Sequence, residues 1–169
     1  MAAISAHLRC YRAEFGFSLS SQRQDKVVAK NKALAARVTL ADVAPNRRQG
    51  GAIRALLTPA SVGATSGFLG HLELAPGEFV AEHYHPFSDK FLYVTEGSAV
   101  VRINGEEVPL ESDQALLITR GQRNRIENRG SRALKAVFQI APLAPRPELG
   151  HVDTEPVPHP GCVPPRVGG

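Results

Sequence analysis

His83 and His85 stand one residue apart in the run Gly77-Glu78-Phe79-Val80-Ala81-Glu82-His83-Tyr84-His85-Pro86. Side chains on a strand alternate with period two, so both imidazoles face the same side of a sheet. Such a pair can grip one metal ion, or work as a coupled acid and base inside a β fold. Imidazole suits either task because its charge changes near neutral pH.

The elements that must position this pair are short apolar runs broken by turn residues. The pattern predicts strands over 37–40, 52–57, 67–74, 79–84, 90–96, 98–103, 107–110, 114–118, 123–128 and 133–140. Asn104-Gly105 between two such runs supplies the positive φ angles of a tight hairpin turn. Helical periodicity is absent from this region, and only 26–38 reads as one helix. Many short strands with evenly spaced turns make an all-β sandwich or barrel. Alternation places Asn124, Ile126 and Asn128 inward, with Arg123, Arg125 and Glu127 outward. Phe79, Phe91, Leu92, Tyr93 and Val94 read as core, some of them lining a cavity.

The 169 residues make one domain with length left for arms, and no window is apolar enough for a membrane helix. Residues 1–36 carry six Lys/Arg against two acidic residues, which is the whole net charge of +4. The remaining residues are balanced, so the body has no bias toward nucleic acid. Residues 1–36 are expected as a basic extension, mobile or partly helical, ahead of a β body over 37–141. Residues 142–169 hold eight prolines and read as an extended arm or tail, in which His151 and His159 are assigned no chemistry. Cys10 and Cys162 show no metal-ligand spacing, and a reducing, cytoplasmic setting is the simplest reading. The arginines at 120, 123, 125, 129 and 132 read as a solvated face, with docking of an acidic carrier protein as the weaker alternative.

Gly77, His83, His85 and Gly97 match the first half of the two-part cupin pattern, with Lys90 where that pattern has glutamate. In the second half Asp113, Thr119, Gly121, Asn124 and Asn128 stand at the patterned places, Asn124 replacing a histidine. The runs 61–68, 75–86 and 142–155 narrow the likeness further. The chain resembles the single-domain cupin cyclases of bacterial aromatic polyketide pathways, including those of spore-pigment clusters. The resemblance implies a jelly-roll β-sandwich closed into a barrel, a homodimer, and His83 and His85 as two ligands of a divalent metal such as Zn, Ni or Fe. The departures weaken that metal site, because an ammonium repels a dication and a neutral amide is a poor transition-metal ligand. Asp89 could replace the glutamate only if the strand bulged, and His71 could lean in from a neighbouring strand, although Leu72 and Leu74 fit the inward face better.

The resemblance implies intramolecular aldol cyclisation of a poly-β-keto chain, followed by loss of water, a chemistry that needs no metal. A histidine, His83 first and His85 beside it, would take a proton from a methylene flanked by two carbonyls. Lys90 would face the developing oxyanion in the place of a Lewis acid. Asn124, Asn128, Phe79 and Leu92 are the expected pocket residues. The poly-β-keto substrate is expected on an acyl carrier protein. Two other readings stand beside this one: a metal-dependent cupin oxygenase or isomerase, and a non-enzymatic binder accessory to a synthase.

Overall fold

In the computed structural model, residues 35–165, 167 and 168 are described. Most of the basic extension, and of the helix expected over 26–38, lies outside them. Ten strands follow: β1 (Ala52–Leu57), β2 (Phe68–Leu74), β3 (Phe79–Tyr84), β4 (Asp89–Glu96), β5 (Ser98–Ile103), β6 (Glu106–Glu111), β7 (Ala115–Ile118), β8 (Asn124–Glu127), β9 (Leu134–Ala141) and β10 (Val152–Asp153). They form two five-stranded antiparallel sheets, ordered β1-β2-β9-β4-β7 and β10-β3-β8-β5-β6. The fold is therefore the expected jelly-roll sandwich, but its two sheets do not close into one barrel.

Nine of the expected strands are present. The strand expected over 37–40 is not, because Thr39 and Asp42 bond to each other and turn the chain into a single 3-10 turn, Leu40–Asp42. A one-turn helix, α1 (Pro59–Val62), also escapes the strand pattern; Thr58 caps it, proline opens it and Gly63 closes it with φ 71°. The Asn104-Gly105 turn behaves as its residues dictate, with φ of 49° and 93° between β5 and β6.

Leu72, Leu74, Leu92, Val94, Val80, Val101, Ile126 and Leu134 interlock between the sheets. Gly70 is required there, because a Cβ would sit 2.2 Å from the Phe138 ring. This apolar layer fills most of the interior and leaves polar side chains at one end, where β3, β4 and β8 converge. Among the described residues, no helix is long and apolar enough to cross a membrane.

The chain beyond Pro142 returns to the sandwich. β10 pairs with β3, Val152 opposite Tyr84 and Asp153 opposite His83. Thr154 donates its N–H to the Glu82 carbonyl at 2.9 Å, and Glu155 meets Arg125. The arginine face is largely committed to its own neighbours: Arg120 pairs with Asp89, Arg125 with Glu127 and Glu155, and Arg129 with Glu107 and Glu127.

Candidate functional site

A bulge in β3 sets the site. Val80 pairs with Ile126 and His83 with Asn124, so two residues of β3 oppose one of β8 between those pairs. Simple alternation would put Val80 and His83 on opposite faces; the extra residue turns both inward. Ala81 is the bulged residue, and its freed backbone groups find partners. Its N–H donates to the Gln49 carbonyl at 2.8 Å, and its carbonyl accepts from His83 Nδ1 at 2.7 Å. That bond fixes the His83 tautomer: Nδ1 carries the proton and Nε2 offers a lone pair.

Lys90 arrives from the opposite sheet. On β4, Lys90, Leu92 and Val94 face inward and Phe91 and Tyr93 outward. Lys90 Nζ lies 2.6 Å from His83 Nε2 and 2.7 Å from Asn124 Oδ1, to both of which it donates. Asn124 donates its own amide to the His83 carbonyl at 2.9 Å, which orients its oxygen toward the lysine. All three side chains are buried, Lys90 with 5% of its surface exposed.

His85 follows β3 directly. Its Nδ1 donates to the Gly150 carbonyl at 2.6 Å, leaving the Nε2 lone pair uncommitted. The next residue of the arm, His151, stacks on His83 with ring centroids 4.6 Å apart and 25° between planes. His151 Nε2 donates to Asp153 Oδ1 at 2.8 Å, and Gln49 approaches the same nitrogen. One nitrogen from each of His83, His85 and His151 lies within 4.8 Å of the others. His151 keeps 31% of its side chain exposed, so the cluster meets solvent on the side of the arm.

Electrostatics favour the neutral bases. Burial, reinforced by Lys90, holds His83 well below the usual imidazole range and His85 down to about 3. Burial also lowers His151, against the pull of Asp153. Burial draws Lys90 down to about 7. For Asp153, burial pushes the carboxyl up, but hydrogen bonds from Arg48, His151 and Gln49 outweigh it and hold the group at about 2.

The structure brings together His83, His85, Lys90 and Asn124 of the expected site residues and leaves the others apart. Phe79 faces outward beneath the Arg125 guanidinium, 3.7 Å from its ring, because the bulge reverses the alternation between it and His83. Leu92 is packed in the central apolar layer. Asn128 spends its side chain on backbone, donating to the Leu74 and Arg132 carbonyls and accepting from Gly130 N–H. Asp89 is tied to Arg120, and β4 carries no bulge at that point to turn it inward. His71 lies on the outer face of its sheet, opposite Arg54 and Val137, while Leu72 and Leu74 face inward. His151 is the member that sequence reasoning missed; the only signal was a histidine two residues before an aspartate, in an arm that reads as a tail.

The donor set fits a metal poorly as it stands. The outward N–H of each imidazole is anchored, as a metal site requires. Lys90, however, occupies the His83 Nε2 lone pair with an N–H, and among the described residues no carboxylate joins the three nitrogens.

The pattern of the family described as "Cupin domain" matches residues 70–140. The chain is 72% identical over 137 residues to the Tetracenomycin polyketide synthase protein TcmJ of Streptomyces glaucescens, covering 81% of this chain and 92% of that protein. It is 51% identical over 118 residues to Polyketide synthase CurC of Streptomyces cyaneus, covering 70% and 77% of the two. Among solved structures, that of a predicted oxalate decarboxylase from Thermotoga maritima superposes with a TM-score of 0.56 at 24% identity, over 63% of this chain and 99% of that one. The last is a likeness of fold alone.

Proposed function

Because the chain belongs to the cupin proteins of polyketide synthesis, we propose that it is a cyclase that closes an aromatic ring in a poly-β-keto chain by intramolecular aldol reaction. The observation that carries this reading is a buried amine, Lys90, joined to His83 beside a second imidazole, His85, whose lone pair is uncommitted. An aldol closure needs a base for the methylene between two carbonyls and a group that activates the carbonyl under attack. His85 Nε2 takes the methylene proton and returns it to the oxygen lost as water on aromatisation. His83 holds Lys90 rather than acting as the base, since its Nε2 already accepts from the amine. Lys90 activates the carbonyl, and Asn124 fixes its position from the other side. Holding the flexible chain in a reactive fold against the polar end of the sandwich can contribute up to about 7–11 kcal/mol. Delivery on an acyl carrier protein and a homodimeric assembly belong to the same proposal.

The test is reconstitution with a ketosynthase and acyl carrier protein that release a mixture of self-cyclised products. The wild type is expected to convert that mixture to one major product, and a His85→Ala/Lys90→Met double variant to leave it mixed. Guidance by the double variant equal to wild type would replace the cyclase with a non-catalytic binder. One observation favours a second reading, a metal-dependent cupin oxygenase or isomerase: the three imidazole nitrogens within 4.8 Å of one another. Stoichiometric zinc, nickel or iron in the purified protein, with Lys90 displaced from His83, would support it.

A further inference from the structure

Lys90 has a hydrogen-bonding pattern that a purely electrostatic role does not require. Both of its partners are acceptors fixed by their own second bonds. His83 is locked by Ala81 O to present a lone pair, and Asn124 is locked by His83 O to present its carbonyl. A neutral primary amine has two N–H groups and one lone pair, and these two acceptors consume both N–H groups. The lone pair is left at the remaining tetrahedral corner. As an ammonium, the same nitrogen would bury a third N–H for which no bond is formed among the described residues, at a desolvation cost.

We infer that Lys90 is a nucleophile that condenses with a ketone of the substrate, so that the carbonyl is activated as an imine. This deepens the cyclase reading and rests on it for the identity of the substrate as a β-polyketone. The step balances without any added reagent. The Nζ lone pair attacks the carbonyl carbon and gives a carbinolamine; loss of water, with a proton passed through the neighbouring imidazoles, gives the protonated imine. A base, His85 by position, removes a proton from the adjacent carbon to form the enamine. The enamine carbon attacks a second carbonyl of the same chain, forming the ring bond, and water then hydrolyses the imine and frees the lysine. His83 and Asn124 act here as positioning residues, since they aim the lone pair and do not touch the reacting carbons.

The probe is pentane-2,4-dione, the smallest ketone with the repeating 1,3-dicarbonyl unit. Its condensation with an amine gives a conjugated enaminone, read as a new near-ultraviolet absorption and as a mass gain of one diketone less one water. Peptide mapping of the full-length protein is expected to place the first equivalent on Lys90, roughly tenfold faster than on exposed Lys135. Lys90→Arg and Lys90→Met should both abolish this fast equivalent while circular dichroism shows each variant folded. Wild-type adducts confined to Lys135 and the N-terminal lysines would overturn the inference without recourse to either variant. The reconstituted synthase separates this claim from the cyclase reading. If Lys90 takes no adduct but Lys90→Arg abolishes the guided product, the imine is overturned and the cyclase stands. If Lys90 takes the adduct but Lys90→Arg leaves the guided product unchanged, cyclisation does not pass through an imine on the lysine and the inference is overturned, while the cyclase reading is decided by the His85→Ala/Lys90→Met double variant.

Discussion

Asn124 and Asn128 lie at and just beyond the two ends of β8, face the same interior and are equally buried, yet they do different work. Asn128 binds backbone alone and ties the turn after β8 to the end of β2 through the Leu74 carbonyl. Asn124 binds one backbone carbonyl and one amine, and that amine also holds a histidine. Burial and residue type are thus common to both ends of the strand. What separates a clamp from a site is whether the partner is a backbone group, which has one state, or a side chain that can gain or lose a proton.

The comparison is sharpest in stability. Asn128→Ala strands two carbonyls and an N–H and is expected to cost about 3–4 kcal/mol in denaturant unfolding, with pentanedione still reacting at Lys90 in the folded fraction. A loss below about 1 kcal/mol would deny the clamp. At the other end the balance reverses. Lys90→Met removes a buried amine but leaves His83 Nε2 and Asn124 Oδ1 without their donor, so stability should fall by about 1–3 kcal/mol, while the guided product falls roughly 100-fold in rate.

The sequence made the two halves of this comparison unequally legible. Alternation in 123–128 placed both asparagines inward, and the spacing of His83 and His85 marked the site end. Nine strands were readable because each carries its own period of two and its own turn residues. The bulge at Ala81 was not, because an extra residue leaves no compositional mark and shows only in the pairing of β3 with β8; it misassigned Phe79 for that reason. His151 was hidden by the prolines around it, which rule out ladder pairing over most of the arm but allow the two residues of β10. The partners of Lys90 required knowing that β4 faces β3 across the sandwich, a long-range fact.

The site end should also respond to acid. His85 titrates near 3 when folded against 6.5 for the free side chain, so the unfolded chain binds more protons between those values and stability falls as pH drops from 6.5. At pH 5 its share is about 2 kcal/mol, and His85→Asn should flatten the stability profile by that amount in melts taken from pH 7 to pH 5. An unchanged slope would mean that His85 is solvated. The smallest effect belongs to the arm. Glu155→Ala releases Arg125 and the Glu82 N–H, and is expected to cost less than about 1 kcal/mol while speeding proteolysis within the arm and pentanedione access to Lys90.

The most direct measurement compares chelator-treated wild type with Lys90→Met in turnover of the carrier-bound poly-β-ketone. Wild type is expected to keep its guided product after chelation, and Lys90→Met to lose it whether or not metal is added. Loss of the wild-type product on chelation and its recovery with zinc, nickel or iron, with Lys90→Met unimpaired, would contradict a site built around the lysine.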